Sequence, residues 1–462
     1  MSLEKDSVIE CSIESLAYGG RGVARVDGMA VFVAGGLPGD KVKVRIVKAK
    51  KRFAEGVVEE IVTPSEKRVE PACKHFGTCG GCAVQDLDYA EQLAQKGEQV
   101  ASALRRIGGV DNLVMDDPVA SPAIYRYRNK MEFAFEQQDG VLNLGLRAIP
   151  AKGERLGNVI DLEECHLCAM RDIEIMHFVR DFCRESNVVA YHPPTNTGFW
   201  RHLVLRHTSI GQVQVNVITT ADESKYNLPE ELSEALVDRF PEVVSFVHST
   251  RVKRSTIAYG ERTMYRLGHK FVEERLVKGE GEESVSYHLA PNTFFQTNTG
   301  GAVELFSTIA EFADLTGNET VLDLYCGAGA IGLYLADKAH QVIGYEINEE
   351  AIGKAWASAK LNNINNCEFY NLSLESGIEG ADDLPTPDVI VVDPPRSGMQ
   401  EKTAHSILRL APPKIVAVSC DPSTLARDVK RLSSKYELQR ARAVDMFPHT
   451  HHVETVALLV KK

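Results

Sequence analysis

VLDLYCGAGAIGLYLA, residues 321–336, reads as a buried strand that runs into a glycine turn and then a helix, the unit from which parallel α/β sheets are wound. The same grammar recurs downstream in QVIGYEI, CEFYNL, DVIVVDPP, KIVAVSC and VETVALLV, apolar runs separated by stretches long enough for a helix. Residues 287–462 are therefore expected to form a doubly wound, mostly parallel, Rossmann-like sheet. Polar residues fall where such strands end: Asp323 on the first, Glu346 on the second, Asp393 in VIVVDPPR and Cys420 in IVAVSCDP. Ligands of open α/β sheets bind beyond the carboxyl ends of the strands, so these four side chains are expected to converge on one crevice.

Upstream the pattern changes twice. Residues 120–286 carry strand-like runs (MEFAFEQ, VLNLGLRAI, HLVLRHTSI, QVQVNVITT) and a helical one near MRDIEIMHFVRDF, which predicts a mixed α+β central domain. Apolar or small residues at 90, 93, 94, 97, 100, 101, 104 and 107 have helical spacing. Residues 7–62 alternate five short apolar runs with turns at Gly19-Gly20, Asp27-Gly28 and Pro38-Gly39-Asp40, the pattern of a small OB-like β-barrel. The expected division is 1–66, 67–286 and 287–462, and a chain of 462 residues is long enough for three domains.

Composition removes several classes. No apolar run approaches the roughly 20 residues of a membrane span, and MSLEKDSVIE at the start lacks a secretory apolar core, so a cytoplasmic protein without membrane attachment is expected. With 52 basic and 64 acidic residues the net charge is -12, so any contact with nucleic acid must be local. The segment KVKVRIVKAKKR, residues 41–52, has seven basic residues and no acid and supplies such a place. YRYRNK, residues 125–130, interleaves aromatics and cations and could stack bases and hold phosphates. The ten cysteines are too few for a disulfide framework, yet Cys73, Cys79 and Cys82 cluster within ten residues and Cys165 and Cys168 pair further on. Thiolate ligation suits zinc or an iron–sulfur cluster, and spacing does not separate the two.

The loop Cys326-Gly327-Ala328-Gly329 lets a ligand approach backbone closely, and Glu346, 23 residues beyond Asp323, stands where an acid takes ribose hydroxyls. Its acidic opening disfavours a pyrophosphate and suits the cationic sulfonium of S-adenosylmethionine. Cys420 precedes a helix expected near Ser423-Thr424, whose dipole should lower the thiol's pKa and favour a nucleophile.

The ordered set DLYCGAG, VVDPPRSG, SCDPSTLARD and FPHTHHVETV, preceded by APNTFFQTN, resembles the RNA uracil-5-methyltransferase family. With the barrel, which resembles a TRAM domain, and the Cys-x5-Cys-x2-Cys cluster, the chain is similar to the 23S rRNA uracil-5-methyltransferases; the transfer-RNA branch typically lacks both additions. The resemblance implies S-adenosylmethionine-dependent methylation of uridine carbon 5, with Cys420 adding to carbon 6 and Glu454 as general base. It implies that Gln296, Tyr325, Glu346 and Asp393 contact the donor or organise its site, and that no metal lies on His449, His451 and His452. Ala330 and Ser373 depart from the family pattern. It further implies a 4Fe-4S cluster on Cys73, Cys79, Cys82 and Cys165, with Cys168 as the competing fourth ligand, and ribosomal RNA presenting a loop uridine as substrate, with no obligate protein partner. Competing readings are transfer-RNA methylation, an amino-group methyltransferase suggested by Asp393-Pro394-Pro395, and a non-enzymatic iron–sulfur RNA-binding protein; the last two leave Cys420 and Glu454, or the donor crevice, unexplained.

Overall fold

The computed structural model describes residues 3–151, 154–279, 283–375, 377–378 and 387–462. The N-terminal sheet contains β1 (Val8–Ser12), β2 (Ser15–Ala17), β3 (Arg21–Val26), β4 (Met29–Ala34), β5 (Lys41–Ala49) and β6 (Phe53–Thr63) in the order β1-β5-β6-β4-β3-β2. It has six strands rather than the expected five, because the first run changes partner. The amide of Ile13 bonds Asp40 O and that of Glu14 bonds Val23 O, which breaks the run into β1 on β5 and β2 on β3.

Helix α1 (Tyr89–Arg106) begins at Asp88, whose carboxylate accepts from the amides of Ala90 and Glu91. Its Val100 and Leu104 are buried in the C-terminal core, so it docks there rather than on the central sheet. The central sheet contains β7 (Lys130–Gln138), β8 (Val141–Gly145), β9 (Trp200–His207), β10 (Val213–Thr219), β11 (Val243–Thr250) and β12 (Arg262–Gly268), ordered β12-β11-β10-β9-β7-β8. One face is apolar and covered by α2 (Met170–Glu185) and α3 (Asn227–Arg239) through Met176, Val179, Leu232 and Leu236. A hairpin follows, β13 (Val272–Val277) with β14 (Ser284–Leu289), and its Val272, Leu276, Val285 and Tyr287 share the C-terminal core. The expected boundary at 286/287 thus falls inside β14.

The C-terminal sheet comprises β15 (Thr320–Leu324), β16 (Gln341–Glu346), β17 (Cys367–Asn371), β18 (Val389–Val392), β19 (Lys414–Ser419), β20 (Tyr436–Val444) and β21 (Glu454–Lys461), ordered β17-β16-β15-β18-β19-β21-β20. β15 to β20 run in one direction, and β21, inserted between β19 and β20, runs antiparallel to both. Its central strands β15, β18 and β19 are apolar on both faces, as strands between two helix layers must be. Val321, Val391, Val416 and Leu458 face one core with α4 (Thr299–Ala313), α5 (Ala330–Leu335) and α6 (Glu349–Leu361). Leu322, Val392, Ile415 and Leu459 face the other, with α1, α7 (Glu401–Leu410) and α8 (Pro422–Leu432). No helix among the described residues is long and apolar enough to cross a membrane.

Candidate active site

A cavity of about 660 Å3 opens at the carboxyl ends of β15, β16, β18 and β19, with the first residue of β21 in its wall. Gln296, Tyr325, Glu346, Asp393, Cys420 and Glu454 all line it. Tight backbone geometry brings them there. Tyr325 leaves β15 with φ 63°, a conformation costly for a residue with a Cβ and common where function over-determines the chain. Gly329 has φ 76°, and a Cβ there would stand 3.0 Å from both Ala355 and Phe369, so only glycine lets α5 start against the sheet. Glu346 accepts the amides of Gly327 at 3.2 Å and Asn348 at 2.8 Å, which pins its carboxylate beside the glycine loop.

Asp323 does not join them. It is fully buried beneath the loop, accepts the amide of Gly332 at 3.0 Å and is pushed by burial to a pKa of about 8. It organises the turn from below.

Cys420 also departs from expectation. Burial, reinforced by the nearby carboxyls of Glu454 and Asp393, raises its thiol to about 11, and the Arg396 guanidinium opposes the rise. The helix offers little to a thiolate, because Asp421 already occupies its first amides, accepting from Ser423 N at 2.8 Å and Thr424 N at 3.1 Å. Glu454, more deeply buried than Cys420, is held well above the ordinary carboxyl range by desolvation and by Asp393, again opposed by Arg396. Asp393 itself is raised by burial to about 6. Three acidic groups in one apolar-walled cavity resist ionising until positive charge arrives.

Two features escaped sequence reasoning. Tyr18, in the turn after β2, donates its hydroxyl to the carbonyl of Cys420 at 3.1 Å and sets its ring edge-on to His451, so the N-terminal sheet touches the backbone of Cys420. No sequence signal links residues 402 positions apart. The loop before Glu454 hangs on a buried ion pair, Lys96 Nζ to Asp445 at 2.7 Å, with Lys96 also donating to Phe447 O at 3.0 Å.

Two proposed RNA-facing segments are largely occupied. In YRYRNK, Tyr127 is buried with its hydroxyl on Pro448 O, Tyr125 stacks on His449 at 4.4 Å, Arg126 binds the carbonyls of Cys165 and Cys168, and Asn129 holds Gln296 O and Thr299 Oγ1. These residues brace the cavity's rear wall. On β5, Lys41, Lys43, Arg45 and Lys48 pair with Glu10, Glu60, Glu59 and Glu55 on the neighbouring strands, which leaves Lys50, Lys51 and Arg52 exposed at the turn.

Cys73, Cys79, Cys82 and Cys165 line a second, small cavity, whereas Cys168 does not. Gln85 donates toward Cys82 Sγ at 3.6 Å and Gly81 N toward Cys79 Sγ at 3.4 Å. Burial raises the thiols of Cys73, Cys79 and Cys82, whereas the hydrogen bond from Cys168 holds Cys165 below the ordinary range. Among the described residues no three His, Cys, Asp or Glu side chains are grouped closely enough to hold a metal ion. All ten cysteines are free.

The pattern of the tRNA (Uracil-5-)-methyltransferase family matches residues 226–384 and 385–462, and that of the TRAM domain matches residues 4–58. An RNA methyltransferase of Nitratidesulfovibrio vulgaris is 38% identical over 98% of this chain and 96% of its own length. One from Halalkalibacterium halodurans is 35% identical over 100% and 98%. Among solved structures, the Pyrococcus abyssi tRNA (uracil-54, C5)-methyltransferase in complex with S-adenosyl-L-homocysteine superposes with a TM-score of 0.76 at 32% identity, covering 98% of this chain and all of that one.

Proposed function

This chain belongs to the RNA uracil-5-methyltransferase family and is an S-adenosylmethionine-dependent enzyme of that family with a TRAM domain, and we propose that its substrate is a loop uridine of 23S ribosomal RNA, methylated through a covalent adduct on Cys420. The observation that carries the covalent chemistry is the meeting of a thiol and two perturbed carboxyls, Cys420, Asp393 and Glu454, in one 660 Å3 cavity, and the family resemblance favours the ribosomal substrate.

Carbon 5 of uracil is too weak a nucleophile for a sulfonium methyl. Cys420 releases its thiol proton to water, the thiolate adds to carbon 6, and the ring's π electrons move to the 4-oxygen as an enolate. Carbon 5 then takes the methyl group, leaving S-adenosylhomocysteine. Glu454 removes the proton from carbon 5, the enolate re-forms, and elimination expels the Cys420 thiolate. Positive charge makes these steps accessible, since Arg396 already lowers both groups and the cationic donor adds to it. Gln296, Tyr325, Glu346 and Asp393 hold the donor or shape its site.

In the proposed division of labour residues 1–66 bind RNA, the central sheet and its helices carry the cysteine cavity, and the C-terminal sheet, with the β13–β14 hairpin in its core, performs the chemistry. The four thiols of the second cavity are a donor set that either a 4Fe-4S cluster or a zinc ion accepts, and the family resemblance favours the cluster. A multi-iron cluster accepts ligands spread around a larger body, and the soft, all-thiol donor set fits iron. Cys165 as the fourth ligand is supported by its place in the cavity wall, from which Cys168 is absent. Held there, the cluster would tie Cys165 to a loop 83 residues earlier in the chain, at Cys82, an anchoring role.

The transfer-RNA reading draws support from the similar archaeal tRNA enzyme. Mass spectrometry of ribosomal and transfer RNA from a deletion strain decides: 5-methyluridine should vanish from a 23S loop, and its loss from transfer RNA alone would sink the ribosomal assignment.

A further inference from the structure

Between β11 and β12 the chain runs from Arg251 to Gly260 with neither helix nor strand, yet it is held by an unusual amount of polar structure. Arg201, only 2% exposed, donates to three of its carbonyls: Arg251 O at 2.8 Å, Lys253 O at 3.0 Å and Ser255 O at 2.7 Å. The guanidinium lies 3.9 Å over the ring of Tyr191. Arg251, 6% exposed, donates to Ser255 Oγ and to Tyr259 O, both at 3.0 Å. Glu261 accepts the amide of Val252 at 2.9 Å, Arg254 is fastened to the carbonyls of Pro193 and Pro194, and Asn292 donates to Gly260 O at 2.8 Å.

A segment so fully braced could have hidden its apolar side chains. Instead Val252 is 70%, Ile257 62% and Tyr259 45% exposed. Two observations say what meets them. Tyr259 is part of the wall of the catalytic cavity, so the segment continues the reaction site outward. Lys253 and Arg254 put positive charge beside the exposed aromatic and aliphatic groups, the combination that unpaired nucleotides select through base stacking and phosphate contact. A preformed loop spends no ordering entropy when it binds.

We infer that the Arg251–Gly260 segment is an RNA recognition arm that receives the unpaired nucleotide next to the target uridine, stacking its base on Tyr259 and steadying its phosphate with Lys253. The inference deepens the uridine-methylation reading and rests on it.

The test uses the full-length enzyme and hairpin RNAs with a loop uridine, drawn from 23S rRNA and from the transfer-RNA T arm, with an abasic site placed in turn on each side of the uridine. Tyr259→Ala should raise KM for RNA about tenfold, the scale of one lost base–aromatic stack, with a much smaller change in kcat. Tyr259→Phe should restore the parent KM. One abasic position should cost the parent a similar factor and cost Tyr259→Ala nothing further, because the partner of the stack is already gone. Lys253→Ala tests the phosphate contact and should flatten the salt dependence of KM. Independent, multiplying penalties from the abasic site and Tyr259→Ala, or an unchanged KM in the variant, overturn the arm. A parent that methylates none of the uridine hairpins would overturn the underlying reading, and the arm with it.

Discussion

Cys420 and Glu454 share one environment and should fail differently when changed. Cys420→Ala removes the group proposed to bond carbon 6, so methyl transfer should disappear while donor affinity persists; methylation at the parent rate would remove Cys420 from the chemistry. In Glu454→Gln, addition and methylation proceed but proton loss does not, so turnover should fall by about 10²–10⁴ and a protein–RNA adduct should survive denaturing electrophoresis. Rapid turnover with no adduct would transfer the base role elsewhere. Asp393 yields a pH prediction. Its folded pKa of about 6 stands above the ordinary 3.8, so the protonated carboxyl favours the fold at low pH, and this contribution is lost as pH rises through 6. A cationic donor offsets the loss only where Asp393 is ionised. Donor affinity, and the Tm increase the donor produces, should therefore be larger at pH 7.5 than at pH 5, and Asp393→Asn should flatten that difference. The sequence made Asp393 and Cys420 legible, because a polar side chain after a run of buried apolar ones marks a strand end, whereas Glu454, the first residue of β21, was legible only through the family resemblance. It misled on the thiol. The dipole argument sees Cys420 beside a helix start but not Asp421 occupying the amides, nor Glu454 approaching from β21.

At the scale of elements, the helices and strands with strong periodicity were readable and the segments that brace the site were not. YRYRNK has the composition of an RNA contact, yet its side chains reach carbonyls of distant loops, a choice no local pattern encodes. The loop from Asp445 to Glu454 depends in the same way on α1. Lys96 and Asp445 are both almost fully buried and satisfy one another, so removing one partner strands a charge in an apolar setting. Lys96→Met should cost about 3–5 kcal/mol in denaturant unfolding and weaken catalysis through the displaced loop. The double change Lys96→Met with Asp445→Leu should recover much of the stability, and a single variant as stable as the parent would show the pair to be incidental. The cysteine pair separates by the same logic of placement. Cys165→Ser should abolish brown colour and iron content in anaerobically purified protein, whereas Cys168→Ser should retain both; the opposite result would exchange their roles.

Across the whole molecule the question is how a chain of net charge -12 holds a polyanion. The sequence suggested the basic run 41–52 as a whole, since only the pairing of β5 with β1 and β6 sets the acids of those strands against its cations. In the folded sheet Glu10, Glu55, Glu59 and Glu60 neutralise four of its seven cations, and such exposed pairs contribute little stability while screening the charge. What remains for RNA is the turn after β5, where Lys50, Lys51 and Arg52 project from the sheet. Extruding a uridine into the cavity costs a few kcal/mol, and contacts outside the cavity must offset it. Each phosphate contact to a single strand contributes about 0.7 to the slope of log affinity against log salt, so replacing these three with alanine should make the slope shallower by about 2. Replacing Lys43 and Arg45, whose charges are already answered, should change it far less. Fluorescence anisotropy with a loop-uridine hairpin between about 50 and 200 mM salt reads both variants. Parallel lines for the triple variant and the parent would move the RNA track off this turn, and a larger loss from the Lys43 and Arg45 pair would mean that RNA displaces the glutamates from their partners on β5.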